Sequence, residues 1–257
     1  MVESSDLLVS LDGDRVKIGF SSATRDTPAS LDELLPALRS ITNSVIEAAI
    51  QRETRNARSI SCKAGCGACC RQLVPITATE ARQIPRILSS LGEEHRRRVM
   101  SRFEAARTRL QELGMWDRLE SLAALTSEER HALSLEYLAL GIPCPFLEDE
   151  ACSIHAERPL MCRQYLVTSP AENCQKPTRE TIVRVALAAS VHDAVRRLET
   201  RETGDNRNEV LSTSIFRQPD EDSTTHTVGE WMRDLLLEAR RHDAATAATP
   251  PPPAVPS

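Results

Sequence analysis

The stretch Cys62-Lys-Ala-Gly-Cys66-Gly-Ala-Cys69-Cys70 decides more about the fold of this chain than any other part of its sequence. It holds four thiols so close together that they can converge only if the backbone wraps around a common centre. Gly65 and Gly67 suit such wrapping, because glycine adopts positive φ and allows the backbone to approach a metal closely. We therefore predict that a metal ion or cluster is bound by Cys62, Cys66, Cys69 and Cys70.

A second cysteine group lies in the segment 142–177, which contains several prolines and little hydrophobic periodicity. It reads Cys144-Pro-Phe-Leu-Glu-Asp-Glu-Ala-Cys152-Ser-Ile-His155, then Arg158-Pro-Leu-Met-Cys162-Arg163-Gln-Tyr165, and it ends at Cys174. We expect an irregular segment that needs a ligand to order it, and prolines lower the entropy lost when its thiols are gathered. The further metal ligands are predicted to be Cys144, Cys152, Cys162 and Cys174.

All eight cysteines lie between residues 62 and 174. The start of the chain lacks the basic and apolar parts of a signal peptide, so we expect a cytoplasmic protein with reduced thiols. Disulfides are the alternative if the chain is exported by another route, and a single buried cysteine often packs as a small apolar side chain. Packing as small apolar side chains does not explain four cysteines around two glycines, and disulfides stay open as the other alternative. Ligation is therefore the favoured interpretation.

The number of metal sites is left open by the spacing. The side chains of the adjacent Cys69 and Cys70 point in different directions and do not readily bind the same ion, so one of them could serve a second site. Eight thiols could make two four-cysteine sites, or one cluster with supporting thiols. His155 is a candidate nitrogen ligand, although a hydrogen-bonded or surface histidine is the simpler interpretation.

Basic residues beside the cysteines could offset the negative charge of the thiolates. Lys63, Arg71 and Arg163 each directly follow a cysteine, which suits N–H···S contacts to a metal-bound thiolate. The alternative for each is an exposed side chain without such a role.

The rest of the chain is predicted to be mainly α-helical. Aromatic residues are few, with 4 Phe, 2 Trp and 2 Tyr, so aliphatic side chains must fill the core. Capping boxes that open at Ser30, Thr77 and Thr126, each with Glu three residues later, predict the starts of three helices. Hydrophobic periodicity predicts two more, at 93–113 and from about Thr178 to Leu198.

The domain boundaries follow from composition and periodicity. Asp12-Gly13 between alternating residues predicts a small N-terminal β-hairpin, and the Pro-rich end cannot bury a core. We divide the chain into an N-terminal hairpin extension at 1–29, a helical cysteine-cluster metal-binding domain at 30–199, a linker at 200–227, a C-terminal helix at 228–242 and a disordered tail at 243–257.

Charge and hydropathy argue against two kinds of partner. Acidic residues outnumber basic ones, 37 against 32, so the field of the molecule repels phosphate backbones. No apolar run approaches the roughly 18 residues that span a bilayer. We expect neither a nucleic-acid nor a membrane partner. A protein partner stays open, as does the oligomeric state.

The combined cysteine pattern resembles the CxxCxxCC family, also called the YkgJ-type cysteine-cluster family. The motifs that carry the resemblance are Cys66-Gly-Ala-Cys69-Cys70, Cys144-Pro-Phe-Leu, Cys152-Ser-Ile-His155, Arg158-Pro159, Cys162-Arg163-Gln-Tyr165 and Ser169-Pro-Ala-Glu-Asn-Cys174. The resemblance covers residues 62–174 and implies binding of zinc, iron or an iron–sulfur cluster. Residues 71–143, which separate the two groups, form a longer insertion than the compact members have, and the sequence pattern of this insertion is helical.

Function is less determined than metal binding, and whether the chain is an enzyme stays open. The family includes flagellin lysine N-methylases, but this sequence lacks a glycine-rich strand-to-helix turn for S-adenosylmethionine. The spacing Cys62-x₃-Cys66-x₂-Cys69 is that of radical S-adenosylmethionine enzymes, yet Ala68 replaces their usual aromatic residue and no barrel-forming alternation follows. A non-catalytic, metal-stabilised interaction module is a further alternative. We favour a metal-binding cysteine-cluster protein, iron–sulfur before zinc, with a redox or protein-modification role as an open option.

Overall fold

The computed structural model describes residues 4–247 except 12–13, 22–23, 179, 206–208 and 218–223. Over these residues the fold is mainly α-helical, as predicted, with eight α-helices and four two-stranded antiparallel sheets. None of the helices described is both long and apolar enough to cross a membrane.

The elements follow one another in this order along the chain. The first are β1 (Ser4–Leu11), β2 (Asp14–Ser21), β3 (Pro28–Ala29), α1 (Leu31–Arg55), β4 (Pro75–Ile76), α2 (Ala78–Ser90), α3 (Glu93–Glu112), α4 (Trp116–Glu120) and α5 (Ser127–Ala139). The others are β5 (Leu147–Glu148), β6 (Ala151–Cys152), α6 (Leu160–Gln164), α7 (Val191–Thr203), β7 (Glu209–Val210), β8 (His226–Thr227) and α8 (Val228–Ala247).

The predicted N-terminal hairpin is confirmed, since β1 and β2 pair antiparallel along their whole length. Its turn residues 12–13, from which it was predicted, lie outside the described residues. Val16 of β2 is fully buried in the same apolar cluster as the core face of α1. Asp14 is also buried and forms an ion pair with Arg52 of α1. The hairpin is therefore docked on α1.

Three helices begin at the predicted capping boxes. Ser30, Thr77 and Thr126 each accept a hydrogen bond from the backbone N–H of a glutamate three residues later, whose carboxylate accepts the cap residue's own N–H. Only the box at Thr77 is buried. Glu199 of α7 adds to it by accepting the first two backbone N–H groups of α2, at 3.1 and 2.7 Å. The start of α2 is thus satisfied by side chains alone.

Prolines inside two helices do not end them. Pro36 lies in the second turn of α1, yet the helix runs without interruption over Leu31–Arg55. Pro85 lies within α2, which likewise continues to Ser90. Burial of one apolar face stabilises each helix by more than the loss of a single backbone hydrogen-bond donor at the proline costs.

The helix predicted from Thr178 to Leu198 is wrong over its first half, because α7 begins only at Val191. The side chain of Ser190 caps it by accepting a backbone N–H at 3.2 Å. Upstream, residues 183–185 are paired with residues 166–168 through two backbone hydrogen bonds of 3.0 and 2.9 Å. The apolar residues of this stretch have helical spacing, but they pack from an extended chain against the cysteine-rich segment.

The apolar core consists of three neighbouring helical clusters and smaller ones around the cysteines. Helices α1, α7 and α8 pack together around Trp231, whose indole N–H donates to the carbonyl of Ala29 at 2.8 Å. Helices α2 and α3 pack around Phe103 and Phe146, whose rings meet edge to face at 5.5 Å. The end of α3 packs with α4 and α5 around Leu110.

The segment between α7 and α8 also contacts the core. Strand β7 pairs with β4, and β8 pairs with β3. Val210 and Leu211 are buried in the clusters formed by α2 to α5. Helix α8 begins at Val228, where the C-terminal helix was predicted. Residues 248–257, which make up most of the predicted tail, lie outside the described residues.

Candidate metal centre

The first cysteine group forms a series of turns between α1 and β4, and its two glycines act differently. Gly65 has a φ of +79°, with open space where a Cβ would lie. At Gly67, by contrast, an added Cβ would lie only 2.7 Å from the carbonyl oxygen of Glu150. Gly65 therefore supplies the positive φ that was predicted, and Gly67 supplies the close backbone approach.

That close approach brings the second cysteine group onto the first. Strands β5 and β6 form a tight hairpin that carries Cys152 and turns at Asp149 and Glu150, both with positive φ. Arg102 of α3 holds the other side of this hairpin, since its guanidinium donates to Glu148 at 2.8 Å. The hairpin is thus held between Gly67 and helix α3.

Cys162 lies in the short helix α6, which buried polar groups hold at both ends. The backbone N–H of Leu160 donates to the carboxylate of Glu80 in α2, at 2.6 Å. At the other end, the side-chain amide of Gln164 donates to the hydroxyl of Ser190 and accepts the backbone N–H of His192, the second residue of α7, each at 3.0 Å. The position of Cys162 is therefore set by α2 and α7.

The two cysteine groups meet in space, as predicted. The backbone N–H of Cys144 donates to the carbonyl of Cys70 at 2.7 Å. Cys174 is buried in a small cluster with Ala68 and Val167. Three cysteines of the first group pack against that cluster: Cys62, Cys66 and Cys69.

The chemistry of this set fits zinc or iron. All eight cysteines are free thiols, Cys174 buried and the others half-buried, and thiolates are preferred ligands of both metals. Among the residues that the structure describes, no group of three or more Cys, His, Asp or Glu side chains is arranged so that it could hold a metal ion. Ligation by each cysteine therefore stays a prediction, and it requires side-chain adjustment around the backbone arrangement seen here.

Burial and mutual repulsion disfavour ionisation of these thiols. Burial raises the pKa of Cys144 to about 12 and that of Cys174 to about 11. Burial also raises the pKa of Cys162, and neighbouring cysteines add to the rise. The pKa of Cys69 is raised mainly by a hydrogen bond with the side chain of Cys70. A bound metal would replace the thiol protons and stabilise the thiolates.

Arg158 is the cation that acts on both cysteine groups. Burial raises the pKa of Cys62 and of Cys152, and in each case a backbone hydrogen bond and, more weakly, the charge of Arg158 oppose the rise. Its Nε is buried and has no hydrogen-bond partner in the described part of the chain. An unpaired buried donor costs about 1–3 kcal/mol. The orphaned N–H therefore fits a negatively charged metal–thiolate group beside it.

The three basic residues that directly follow cysteines have different surroundings in the fold. Arg71 donates to Glu150 at 3.1 and 2.6 Å, and this bond, with a smaller effect of Cys70, raises the pKa of Arg71. Arg163 is buried and donates to Asn43 at 3.0 Å and to two carbonyls of the turn before α6. Lys63 is exposed, as is the candidate ligand His155.

Arg158 was missed as a functional residue by the sequence reasoning. In the sequence it stands out only as part of the Arg158-Pro159 motif. The available signal was a basic residue between Cys152 and Cys162 in a segment otherwise rich in cysteine and proline.

Comparison with known proteins agrees with this geometry. Residues 61–181 match the family model CxxCxxCC, described as "Putative zinc- or iron-chelating domain". Neither the curated proteins nor the solved structures give a match to the chain. The matched segment holds both cysteine groups and helices α2 to α6, whereas α1, α7 and α8 lie outside it. The resemblance predicted from the cysteine motifs is thus confirmed as a match to the CxxCxxCC family model over residues 61–181.

Proposed function

We propose that this chain chelates iron or zinc through the thiolates of its two cysteine groups, with an iron–sulfur cluster as the preferred occupant and zinc as the alternative. The observation that carries the proposal is the approach of the two groups, fixed by the hydrogen bond from Cys144 to Cys70 and by the packing of Cys174 on the first group. Thiolates at such different points of a chain reach one centre only if the fold gathers them.

The metal would fasten irregular segments to a helical scaffold. The scaffold has its own apolar clusters and buried capping interactions. The cysteine segments contain only short strands and short helices. Metal ligation supplies folding free energy to segments of this kind. A metal-stabilised module is therefore the form of the proposal with most support from the described contacts.

The enzyme alternatives have less support. The described strands form two-stranded antiparallel sheets, whereas a β/α barrel needs parallel strands alternating with helices. No contact among the described residues favours a methylase-like reaction. A redox role of the bound metal requires iron or an iron–sulfur cluster, because Zn²⁺ has no redox chemistry, and a reversible change of absorption with dithionite would test that role.

Elemental analysis and an absorption spectrum of the anaerobically purified chain test metal binding directly. Replacing Cys62, Cys66 or Cys69 singly by Ser should markedly lower the metal content per chain. Lys63→Ala is the matched control, because Lys63 is an exposed residue of the same loop without a thiol. Unchanged metal content in all three cysteine variants would contradict the proposal, as would a wild-type chain that binds neither metal.

A further inference from the structure

The turn formed by residues 156–158 lies between two elements that carry cysteines of the second group. Before it comes β6, which carries Cys152, and after it comes α6, which carries Cys162. The last residue of the turn is Arg158, whose buried Nε has no hydrogen-bond partner in the described part of the chain. The contacts that hold this turn therefore decide where Arg158 lies relative to the cysteines.

Arginine guanidinium groups donate to all three carbonyls of this turn. The carbonyl of Ala156 and that of Arg158 both accept from Arg163, the latter from its Nε at 3.0 Å. The carbonyl of Glu157 accepts from Arg39 at 3.1 Å. Hydrogen bonds from a charged donor are stronger than neutral ones. The turn is thus held by side chains, and two arginines supply them.

Both arginines connect the turn to one face of α1. Arg39 is itself a residue of α1, and its guanidinium also forms an ion pair with the carboxylate of Glu157. Asn43, one helical turn further along α1, accepts a hydrogen bond from Arg163 at 3.0 Å. Helix α1 lies outside residues 61–181, which match the family model. A helix outside the matched segment therefore fixes a turn within it.

Positive charge exceeds negative charge around this turn. Three guanidinium groups lie at it, and Glu157 is the one carboxylate among the described residues with which any of them forms an ion pair. Arg163 is buried and the side chain of Arg39 is only 13% exposed, so solvent screens this surplus poorly. A shielded surplus of positive charge favours an anionic group nearby. A metal–thiolate group is such an anion, and the unpartnered Nε–H of Arg158 is a donor for it.

We propose that Arg39 is a positioning residue for the metal centre: from α1 it fixes the 156–158 turn, so that the free Nε–H of Arg158 faces the thiolates. The inference rests on the proposed metal binding and deepens it, because it gives α1 a role in metal affinity. Arg39 acts through Arg158 rather than by donating to a thiolate itself.

A double-mutant cycle on the full chain tests whether Arg39 acts through Arg158. Arg39→Ala should weaken Zn²⁺ binding by up to about 10-fold, less than Arg158→Ala does, because the turn is loosened while the Arg158 donor remains. The double variant should bind Zn²⁺ as Arg158→Ala alone does, since a residue that acts through another has no effect in its absence. Chelator competition measures all four affinities. An equal loss from Arg39→Ala with and without Arg158 would overturn the inference.

A spectroscopic readout separates positioning from a loss of stability. In the Co²⁺-loaded chain, the energy of the thiolate-to-cobalt charge-transfer band responds to hydrogen bonds donated to the sulfur atoms. Arg39→Ala should shift this band in the same direction as Arg158→Ala. A band at the wild-type position in a folded, Co²⁺-loaded Arg39→Ala chain would contradict the positioning role.

Asp32→Ala is the matched control. Asp32 also lies on α1 and forms a comparably shielded ion pair with Arg82 at 2.8 Å, but this pair joins α1 to α2 rather than to the 156–158 turn. The control should lower stability and leave both the Zn²⁺ affinity and the Co²⁺ band unchanged. A loss of affinity and a band shift equal to those of Arg39→Ala would show a merely structural effect and overturn the inference.

Glu157→Ala keeps the test valid if Arg39→Ala does not fold. The Glu157 side chain is 50% exposed, so its removal breaks the ion pair with Arg39 without emptying a buried site. A smaller loss of Zn²⁺ affinity with the same direction of band shift is expected, and no change in either would overturn the inference. A wild-type chain that binds neither Zn²⁺ nor iron would instead refute the proposed function itself.

Discussion

The backbone N–H of Cys144 donates a hydrogen bond of 2.7 Å to the carbonyl oxygen of Cys70. It connects the last cysteine of the first group to the first cysteine of the second, across the whole insertion formed by α2 to α5. A backbone hydrogen bond fixes direction as well as distance. The two groups are therefore placed side by side by the fold, and metal binding acts on a prearranged backbone.

Replacing Arg158 by Ala should weaken metal binding by up to about 10- to 100-fold, the effect expected if its unpartnered Nε–H donates to a metal-bound thiolate. Arg158→Lys should weaken it less, because the charge is kept while the Nε–H is lost. Arg118→Ala is the control, since Arg118 forms an exposed ion pair with Glu136. Metal affinity is measured by chelator competition. Equal metal affinity in wild type and Arg158→Ala would show that Arg158 does not contribute to metal binding.

Glu80→Ala should lower the free energy of unfolding by about 2–5 kcal/mol, because two buried backbone N–H groups lose their acceptor. These are the N–H groups of Thr77, at 3.0 Å, and of Leu160, at 2.6 Å. Glu129→Ala is the matched control, because it removes the same residue of an exposed capping box and should cost roughly 0.5–1 kcal/mol. Denaturant unfolding measures both. Similar losses in the two variants would show that burial of the Glu80 box adds no stability.

The same carboxylate should make stability depend on acid pH. Burial alone would raise the pKa of Glu80, but the nearby imidazole of His192, whose Nδ1 lies 3.7 Å from the carboxylate, and the two backbone N–H groups outweigh burial and lower it. The stabilisation by Glu80 is therefore present above its usual pKa near 4.5 and is lost as the pH falls through the lowered value. Burial raises the pKa of Glu199, so the contribution of Glu199 to stability changes with pH in the opposite direction.

Glu80→Gln isolates this effect, since it removes the ionisable group at similar size. The stability advantage of the wild type over Glu80→Gln should shrink as the pH falls from 7 through the region below about 4.5. Unfolding of both proteins at each pH measures the difference. An advantage that stays constant or grows on acidification would show that the pKa of Glu80 is not lowered by folding.

The sequence predicted the parts of this fold that depend on neighbouring residues. The capping boxes at Ser30, Thr77 and Thr126 are local chemistry, and all three are present. The false helix start at Thr178 has a nonlocal cause, because residues 183–185 pair with 166–168 instead. Arg158 was missed for a similar reason, since the burial of its Nε is visible only after the chain has folded.

The candidate site was predicted in part. Tight spacing and flanking glycines marked the first cysteine group, and the approach of the second group was expected because little else could order it. Which apolar cluster a thiol packs against, the one with Val167 or the one with Phe146, could not be read from spacing, because it depends on the folded chain.

Removing the metal should loosen residues 142–177 far more than helix α3. The segment has few regular hydrogen bonds of its own, whereas α3 buries Val99, Phe103 and Leu110 in the core. Hydrogen exchange with and without chelator measures this difference along the chain. No change in exchange after demonstrated metal loss would mean that ligation does not order the segment, and the cysteines would then be better explained as redox thiols.

X-ray absorption at the edge of the metal that the purified chain carries tests the central claim, thiolate ligation, most directly. Thiolate ligation predicts about four sulfur neighbours per metal at about 2.3 Å, with added metal–metal scattering if an iron–sulfur cluster is bound. A coordination shell of oxygen and nitrogen atoms alone would contradict it.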